Sequence, residues 1–226
     1  MTDNINIGEL VLYKNNQLIA FNKPAGIPVQ ADKTGDKSML ELGEIYTKSR
    51  LHLIHRIDRP VSGIVLFAKT KGALASLNEQ FKSRQLKKTY WAVVPNKPPK
   101  TEGTLEHYLI KNAKKNISFA SDTEKPGSKK SVLHYKLIAS IERYHLLEIT
   151  LESGRHHQIR AQLAAIDCPV KGDVKYGFRR GNRDRSIHLH ARKLEFTHPV
   201  SNQKETIIAE PADEVIWNAF RDALTK

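Results

Sequence analysis

Cysteine is nearly absent from this chain of 226 residues, where Cys168 is the only one. A single cysteine excludes an internal disulfide and any zinc site built from cysteine pairs, and it fits a reducing compartment. Cys168 lies in an apolar segment, which favours a buried structural thiol over a reactive one.

Long apolar runs are also missing. No run approaches the ~20 residues that a membrane-spanning helix requires. The first nine residues lack the basic region and apolar core of a secretory signal. These absences predict a cytoplasmic chain with no membrane partner.

Acidic residues are outnumbered, with 24 Asp and Glu against 37 Lys and Arg, which gives a formal net charge of +13. Such a charge favours RNA, DNA or an acidic membrane surface as a partner. Basic residues concentrate at 111–130 and 171–193, and the second stretch also carries Tyr176 and Phe178, which is typical of a nucleic-acid groove. DNA binding rests on charge alone, because no recognition helix can be identified.

The pattern of apolar residues predicts more strands than helices, and the two rarely alternate. This favours an α+β fold with a mixed, largely antiparallel central sheet and flanking helices. The predicted strands are 10–13, 18–21, 64–68, 88–94, 132–139, 144–151, 187–196 and 205–209, and the predicted helices are 38–46, 72–82, 156–166 and 211–224. The lysine-rich segment 111–130 is predicted to be an insertion loop in a single domain spanning 1–226.

The first candidate site is a carboxylate among arginines. The run His55-Arg56-Ile57-Asp58-Arg59-Pro60 directly precedes the apolar strand predicted at 64–68. Guanidinium groups can hold such an acid ionised where it faces a cleft at a strand edge. A plain structural ion pair explains the local motif equally well. A protein kinase is excluded, because no phosphate-covering Gly-rich loop and no Asp-Phe-Gly sequence accompany the His-Arg pair.

Two further side chains are candidates for the same site. Arg160 is predicted at the boundary between the buried and exposed faces of its helix, from which a guanidinium can pair with Asp58. The alternative is an ordinary surface cation. Tyr90 is either a half-buried strand tyrosine or a platform that stacks on a flipped base. The histidine pairs at 156–157 and 188–190 lack partners at metal-ligand spacing, so no metal site is predicted.

Six segments, in this order, resemble the RluA family of pseudouridine synthases over nearly the whole chain. They are Leu18–Gly26 with its Lys-Pro-x-Gly loop, His55–Asp58 followed by Ser62-Gly63, Lys88–Tyr90, Gly154–Arg160, Gly172–Gly177, and Leu189–Ala191 with Phe196–Pro199. Each fragment alone is weak evidence, but six in the right order are highly specific.

The resemblance implies isomerisation of uridine to pseudouridine in rRNA or tRNA, with no cofactor and no metal, on a mixed sheet with a central cleft. It makes Asp58 the essential acid, which attacks either the ribose C1′ or the uracil C6. Tyr90 is then expected to stack on the base and Arg160 to keep Asp58 ionised, so that Arg160→Met impairs catalysis more than folding. The candidate RNA-binding residues are His55, Arg56, Arg59, Arg155, His157, Lys175, Tyr176, Arg179 and Arg180.

The chain departs from the family pattern at Val61, where threonine is usual, and at Arg59-Pro60. Pro60 and Val61 remove a backbone donor and a hydroxyl, which leaves the geometry of the loop open. Because the catalytic pattern begins by about residue 8, no S4-type RNA-binding domain is expected before it. A monomer is predicted. The alternative function is an RNA-binding or RNA-folding helper in which catalysis is dispensable.

Overall fold

The computed structural model describes residues 6–225, which form two compact units. The first unit contains the residues up to Lys88 together with Ala191–Pro211. The second contains Thr89–His190 and the residues from Ala212 onward. Each unit has its own sheet strands and helices.

The first unit is built on a short, largely antiparallel sheet. Its strands are β1 (Val11–Lys14), β2 (Leu18–Lys23), β3 (His52–Leu53), β4 (Ser62–Ala68), most of β10 (Leu189–Thr197) and β11 (Lys204–Ile208). They run in the order β1-β2-β4-β10, with β3 beside β4 and β11 beside β10. The central strands β2 and β4 are almost continuously apolar and buried, as expected of strands covered on both faces.

Two helices flank these strands, α1 (Met39–Thr47) and α2 (Lys71–Lys82). A capping box begins α1, since the Ser38 hydroxyl accepts from the Glu41 backbone N–H and the Glu41 carboxylate accepts from the Ser38 N–H. Leu77 of α2 packs into the core with Leu18 and Leu66. Helix and sheet thereby share one apolar core.

The second unit has a five-stranded antiparallel sheet. Its strands are β5 (Lys87–Val94), β6 (Glu102–Asn112), β7 (Ile117–Ser121), β8 (Lys129–Ile141) and β9 (Tyr144–Leu151), in the order β5-β9-β8-β6-β7. Two helices, α3 (Gln158–Ala165) and α4 (Val215–Leu224), pack on it.

The two helices of this unit cover opposite faces of its sheet. Trp217 and Phe220 of α4 pack on Trp91 of β5. Gln162 of α3 reaches His107, with 3.1 Å between the Gln162 amide nitrogen and the His107 ring nitrogen. Because side chains alternate along a strand, the register places Tyr90 on the same face as His107, opposite to Trp91. Tyr90 therefore lies on the α3 side.

The predicted α+β class with a largely antiparallel sheet is confirmed, whereas the insertion loop at 111–130 is wrong. That segment contains the end of β6, all of β7 and the start of β8, and Ile117–Ser121 pairs with residues 108–112 of β6. The strand β7 itself contains no lysine, because the lysines of this segment lie before and after it. The single domain and the central cleft stay predictions.

Helix α3 begins two residues later than predicted. His157 precedes it with φ +53°, in the left-handed region, which ends the preceding loop. Among residues 6–225, no helix has the length and apolar character needed to cross a membrane.

Candidate active site

Asp58 lies on a turn that main-chain hydrogen bonds close. The Val61 N–H donates to the Asp58 carbonyl at 3.0 Å, and the Arg59 carbonyl accepts from the Gly26 N–H at 2.8 Å. The donor that closes the turn belongs to residue 61, so Pro60 removes no hydrogen bond that the turn uses. Val61 is only 2% exposed and packs as an apolar side chain. The two departures from the family pattern thus leave the turn closed.

Lys23, which was not predicted from the sequence, stabilises this turn by hydrogen bonds to main-chain carbonyls. Its side chain is fully buried, and Nζ donates to the carbonyls of Pro24 and Ile27 at 2.8 Å and of Arg59 at 3.2 Å. Burial lowers the pKa of Lys23 to about 7, and the charge of Asp58 opposes that shift. A lysine at the end of the apolar strand β2 is the sequence signal that could have identified it.

Arg59, a candidate RNA contact, directs its guanidinium into its own unit. Nε donates to the Gly26 carbonyl at 2.7 Å, one terminal nitrogen donates to the Thr34 hydroxyl at 2.6 Å, and the other contacts the Asp36 carboxylate. Arg59 therefore fastens the loop at 26–36 to the Asp58 turn. Its predicted contact with RNA stays a prediction.

His55 also faces inward. Its Nε2 accepts from the Leu66 backbone N–H at 3.2 Å, and its ring lies 5.6 Å from that of Phe81. Burial and the nearby Lys88 charge lower the pKa of His55 to about 3, so the imidazole is neutral at physiological pH. This arrangement fits a structural role beside β4 better than an RNA contact. Arg56 is exposed, and its predicted contact with RNA stays a prediction.

Gly63 is required by a close approach of two strands. Its φ is +109°, and a Cβ at this position would lie 2.4 Å from the Ala191 carbonyl oxygen. No other residue type fits both constraints. The Ser-Gly pair of the motif therefore positions the strand that follows Asp58.

In the second unit, Arg160 is buried and paired with an acid. Its Nε donates to Oδ2 of Asp173 at 2.6 Å and its terminal nitrogen to Oδ1 at 2.9 Å, with the two residues 4% and 2% exposed. The Tyr176 ring lies 5.0 Å from the guanidinium carbon. The predicted position at the boundary between the buried and exposed faces of the helix is wrong, because the paired charge allows the whole side chain to be buried. The pairing of Arg160 with Asp58 stays a prediction.

Tyr176 and His157, both candidate RNA contacts, hydrogen-bond to each other. The Tyr176 hydroxyl accepts from the Ser118 N–H at 2.7 Å and lies 2.9 Å from Nδ1 of His157, which is itself buried. Tyr176 thus ties β7 to the start of α3. The remaining basic candidates Arg155, Lys175, Arg179 and Arg180 are exposed.

Tyr90 is 8% exposed and pairs with Ile149 in the middle of the sheet. It shares the face of the sheet on which α3 carries Arg160. The second unit thus holds an aromatic ring and a buried, fixed guanidinium on one side. Among residues 6–225, no group of three or more histidine, cysteine, aspartate or glutamate side chains is arranged to hold a metal ion.

The comparisons with known proteins agree on one family. The family described as RNA pseudouridylate synthase matches residues 17–165, a range that contains Asp58, Tyr90 and Arg160. The human RNA pseudouridylate synthase domain containing 4 has a similar fold, with a TM-score of 0.77 at 22% identity over 97% of this chain and 94% of that one.

Curated relatives extend over most of the chain. It is 34% identical over 222 residues to the uncharacterized RNA pseudouridine synthase YhcT of Bacillus subtilis, covering 91% of this chain and 70% of that protein. It is 30% identical to tRNA pseudouridine synthase C of Pectobacterium carotovorum, over 88% of this chain and 58% of that protein. Ribosomal large subunit pseudouridine synthase C of Buchnera aphidicola is also 30% identical, over 95% of this chain and 70% of that protein. The chain therefore belongs to the RNA pseudouridylate synthase family, within its RluA branch, as its six motifs indicated.

Proposed function

We propose that this protein converts one or more uridines in structured rRNA or tRNA to pseudouridine, with Asp58 as the nucleophile and the target base flipped out of its helix. The observation that carries the proposal is the position of Asp58 on a turn held by main-chain bonds, inside the segment that matches the family. The names of the relatives, which specify tRNA or the large ribosomal subunit, support the substrate class.

The reaction requires one glycosidic bond to be exchanged for another. The bond between C1′ and N1 breaks and a bond between C1′ and C5 forms, while C5 loses its proton and N1 gains one. The Asp58 carboxylate attacks either the ribose C1′ or the uracil C6, and the bond that it forms breaks again before the product leaves. Tyr90 stacks on the detached base, and Arg160 provides a cation that cannot be deprotonated.

The test uses tRNA and large-subunit rRNA transcripts labelled with tritium at C5 of uridine, because that atom leaves as the new bond forms. We expect the unaltered protein to release tritium and Asp58→Ala to release none, with RNA affinity retained within about threefold, since one side chain is a small part of an RNA interface. Asp58→Asn tests the charge by itself, because it removes the charge and keeps the shape of the side chain.

Isomerisation by Asp58→Ala would show that the nucleophile is another residue. If the unaltered protein binds both RNAs and releases no tritium, the helper function replaces the enzyme. Mapping of pseudouridine in cells that lack the protein, with rescue by the unaltered chain or by Asp58→Ala, then identifies the modified site.

A further inference from the structure

Three segments of the second unit contain cations and no acids. They are 107–121 with Lys111, Lys114 and Lys115, 153–166 with Arg155 and Arg160, and 174–183 with Lys175, Arg179, Arg180 and Arg183. The acid that precedes the third segment, Asp173, is committed to Arg160. In the sequence the three segments are separate.

The fold brings the three segments together at the turn between β6 and β7. The Asn116 carbonyl accepts from Nζ of Lys175 at 3.4 Å, and its side-chain oxygen lies 3.1 Å from Nε2 of His156. One residue into β7, the Ser118 N–H donates to the Tyr176 hydroxyl, and the Ser118 hydroxyl donates to the His156 carbonyl at 2.7 Å. The turn at 113–116 is thus fixed against both other segments.

The cations around this turn are not neutralised within the unit. Lys114, Lys115, Arg155 and Lys175 are exposed, and none of them forms an ion pair with a carboxylate of residues 6–225. Elsewhere on the same sheet, Lys130 pairs with Glu106 at 2.6 Å. Unpaired cations held close together repel one another, and an anionic partner removes that repulsion.

The chemistry of the surface favours a phosphate backbone over bases. Lysine ammonium groups act as point charges, which position a nucleic acid without reading its sequence. The exposed aromatic residue of the hairpin, Phe119, alternates with Ser118 and therefore projects from the opposite face. This surface accordingly offers charge without a stacking platform.

We infer that the turn at 113–116, together with Arg155 and Lys175, binds the phosphate backbone of the substrate RNA outside the target uridine. We call these residues the hairpin patch. The inference rests on the proposed function for the identity of the RNA, and it adds where that RNA is held. The hairpin patch supplies affinity, and the chemistry takes place elsewhere.

The test compares two double variants of equal charge. Lys114→Ala/Lys115→Ala alters the hairpin patch, and Lys125→Ala/Lys129→Ala alters exposed lysines near the other end of β7. The dissociation constants for bulk tRNA and for a large-subunit rRNA transcript are measured from 50 to 300 mM salt. Each lost phosphate contact lowers the slope of log K against log salt by about 0.7–0.9. We expect this slope to fall by about 1.5 for the first variant and by about zero for the second.

The activity readout distinguishes this inference from the proposed function. The first variant should raise KM for RNA and leave the single-turnover rate at saturating RNA unchanged, whereas Asp58→Ala abolishes the rate and retains binding. Equal slopes for both double variants, or an unchanged slope for the first, would overturn the hairpin patch while leaving Asp58 catalysis intact. Equal thermal midpoints confirm that the exposed lysines do not affect folding.

Discussion

The buried pair of Arg160 and Asp173 gives the sharpest prediction about stability. Asp173→Asn keeps the shape of the side chain, so it creates no cavity, and it replaces one acceptor oxygen by an amide that faces the guanidinium. Arg160 cannot release its proton to compensate for the lost Asp173 charge. The substitution therefore removes the Asp173 counter-charge from a buried cation.

The magnitude follows from the burial of both partners. Breaking a buried ion pair by removing one partner costs about 3–5 kcal/mol. We expect about 3 kcal/mol, the lower end, because the remaining amide oxygen still accepts one bond and the Tyr176 ring stays 5.0 Å from the guanidinium carbon. The double variant Arg160→Met/Asp173→Leu removes both charges and should lie within about 1 kcal/mol of the unaltered protein.

Urea unfolding at pH 7 measures both values, with the slope m compared to confirm that the same transition is followed. A free energy of unfolding for Asp173→Asn within about 0.5 kcal/mol of that of the unaltered protein, at equal m, would refute the reasoning. Activity separates the two effects, since the double variant should fold and yet lose isomerisation. The same pair changes the expectation for Arg160→Met alone, which leaves the Asp173 carboxylate buried and thus impairs folding as well as catalysis.

Two further predictions concern the first unit. Gly63→Ala should destabilise the unit by about 3 kcal/mol or more, because the new Cβ would lie 2.4 Å from the Ala191 carbonyl oxygen. Gly72→Ala, in the first turn of α2, should instead stabilise the protein by about 0.5–1 kcal/mol. Thermal unfolding compares the two variants, and equal midpoints would contradict the close approach. His55 stays neutral in the folded state because its pKa is lowered from 6.5 to about 3, so stability should fall as pH drops from 6.5 toward 3, by about 1.4 kcal/mol per pH unit for this one proton. His55→Gln should remove that contribution, and an unchanged pH dependence of the unfolding free energy from pH 6 to 4 would show that His55 does not cause it.

The elements that apolar periodicity determines were predictable from the sequence. Strands β4 and β5 each contain a run of six buried residues, and each was placed within one or two residues of its observed bounds. The segment 111–130 was misjudged because its lysines hid the short alternation around Phe119 on an edge strand. Overall charge carries no information about whether a strand pairs on one side only.

The candidate site was located by motif, but its internal contacts were not. Asp58, Tyr90 and Arg160 were candidates from the residue pattern and received their roles from the resemblance. The sequence could not indicate that Arg59 reaches Gly26, 33 residues earlier. Pairing of Arg160 with Asp173, 13 residues later, is equally nonlocal. A motif specifies which side chains are present, and only the packed chain specifies the direction in which each one points.

The Asp58 turn is held by main-chain groups, and this has a consequence for how such sites are recognised. The carbonyls of Asp58 and Arg59 accept bonds whatever side chains residues 60 to 62 carry, provided that residue 61 retains its N–H. Side chains in the middle of the motif can therefore be exchanged without moving the carboxylate, as Pro60 and Val61 illustrate. Gly63, in contrast, is fixed by the backbone of the neighbouring strand. A search pattern that requires only an aspartate followed five residues later by glycine would describe what this geometry demands, and it would retain chains that a stricter Thr-Ser-Gly pattern rejects.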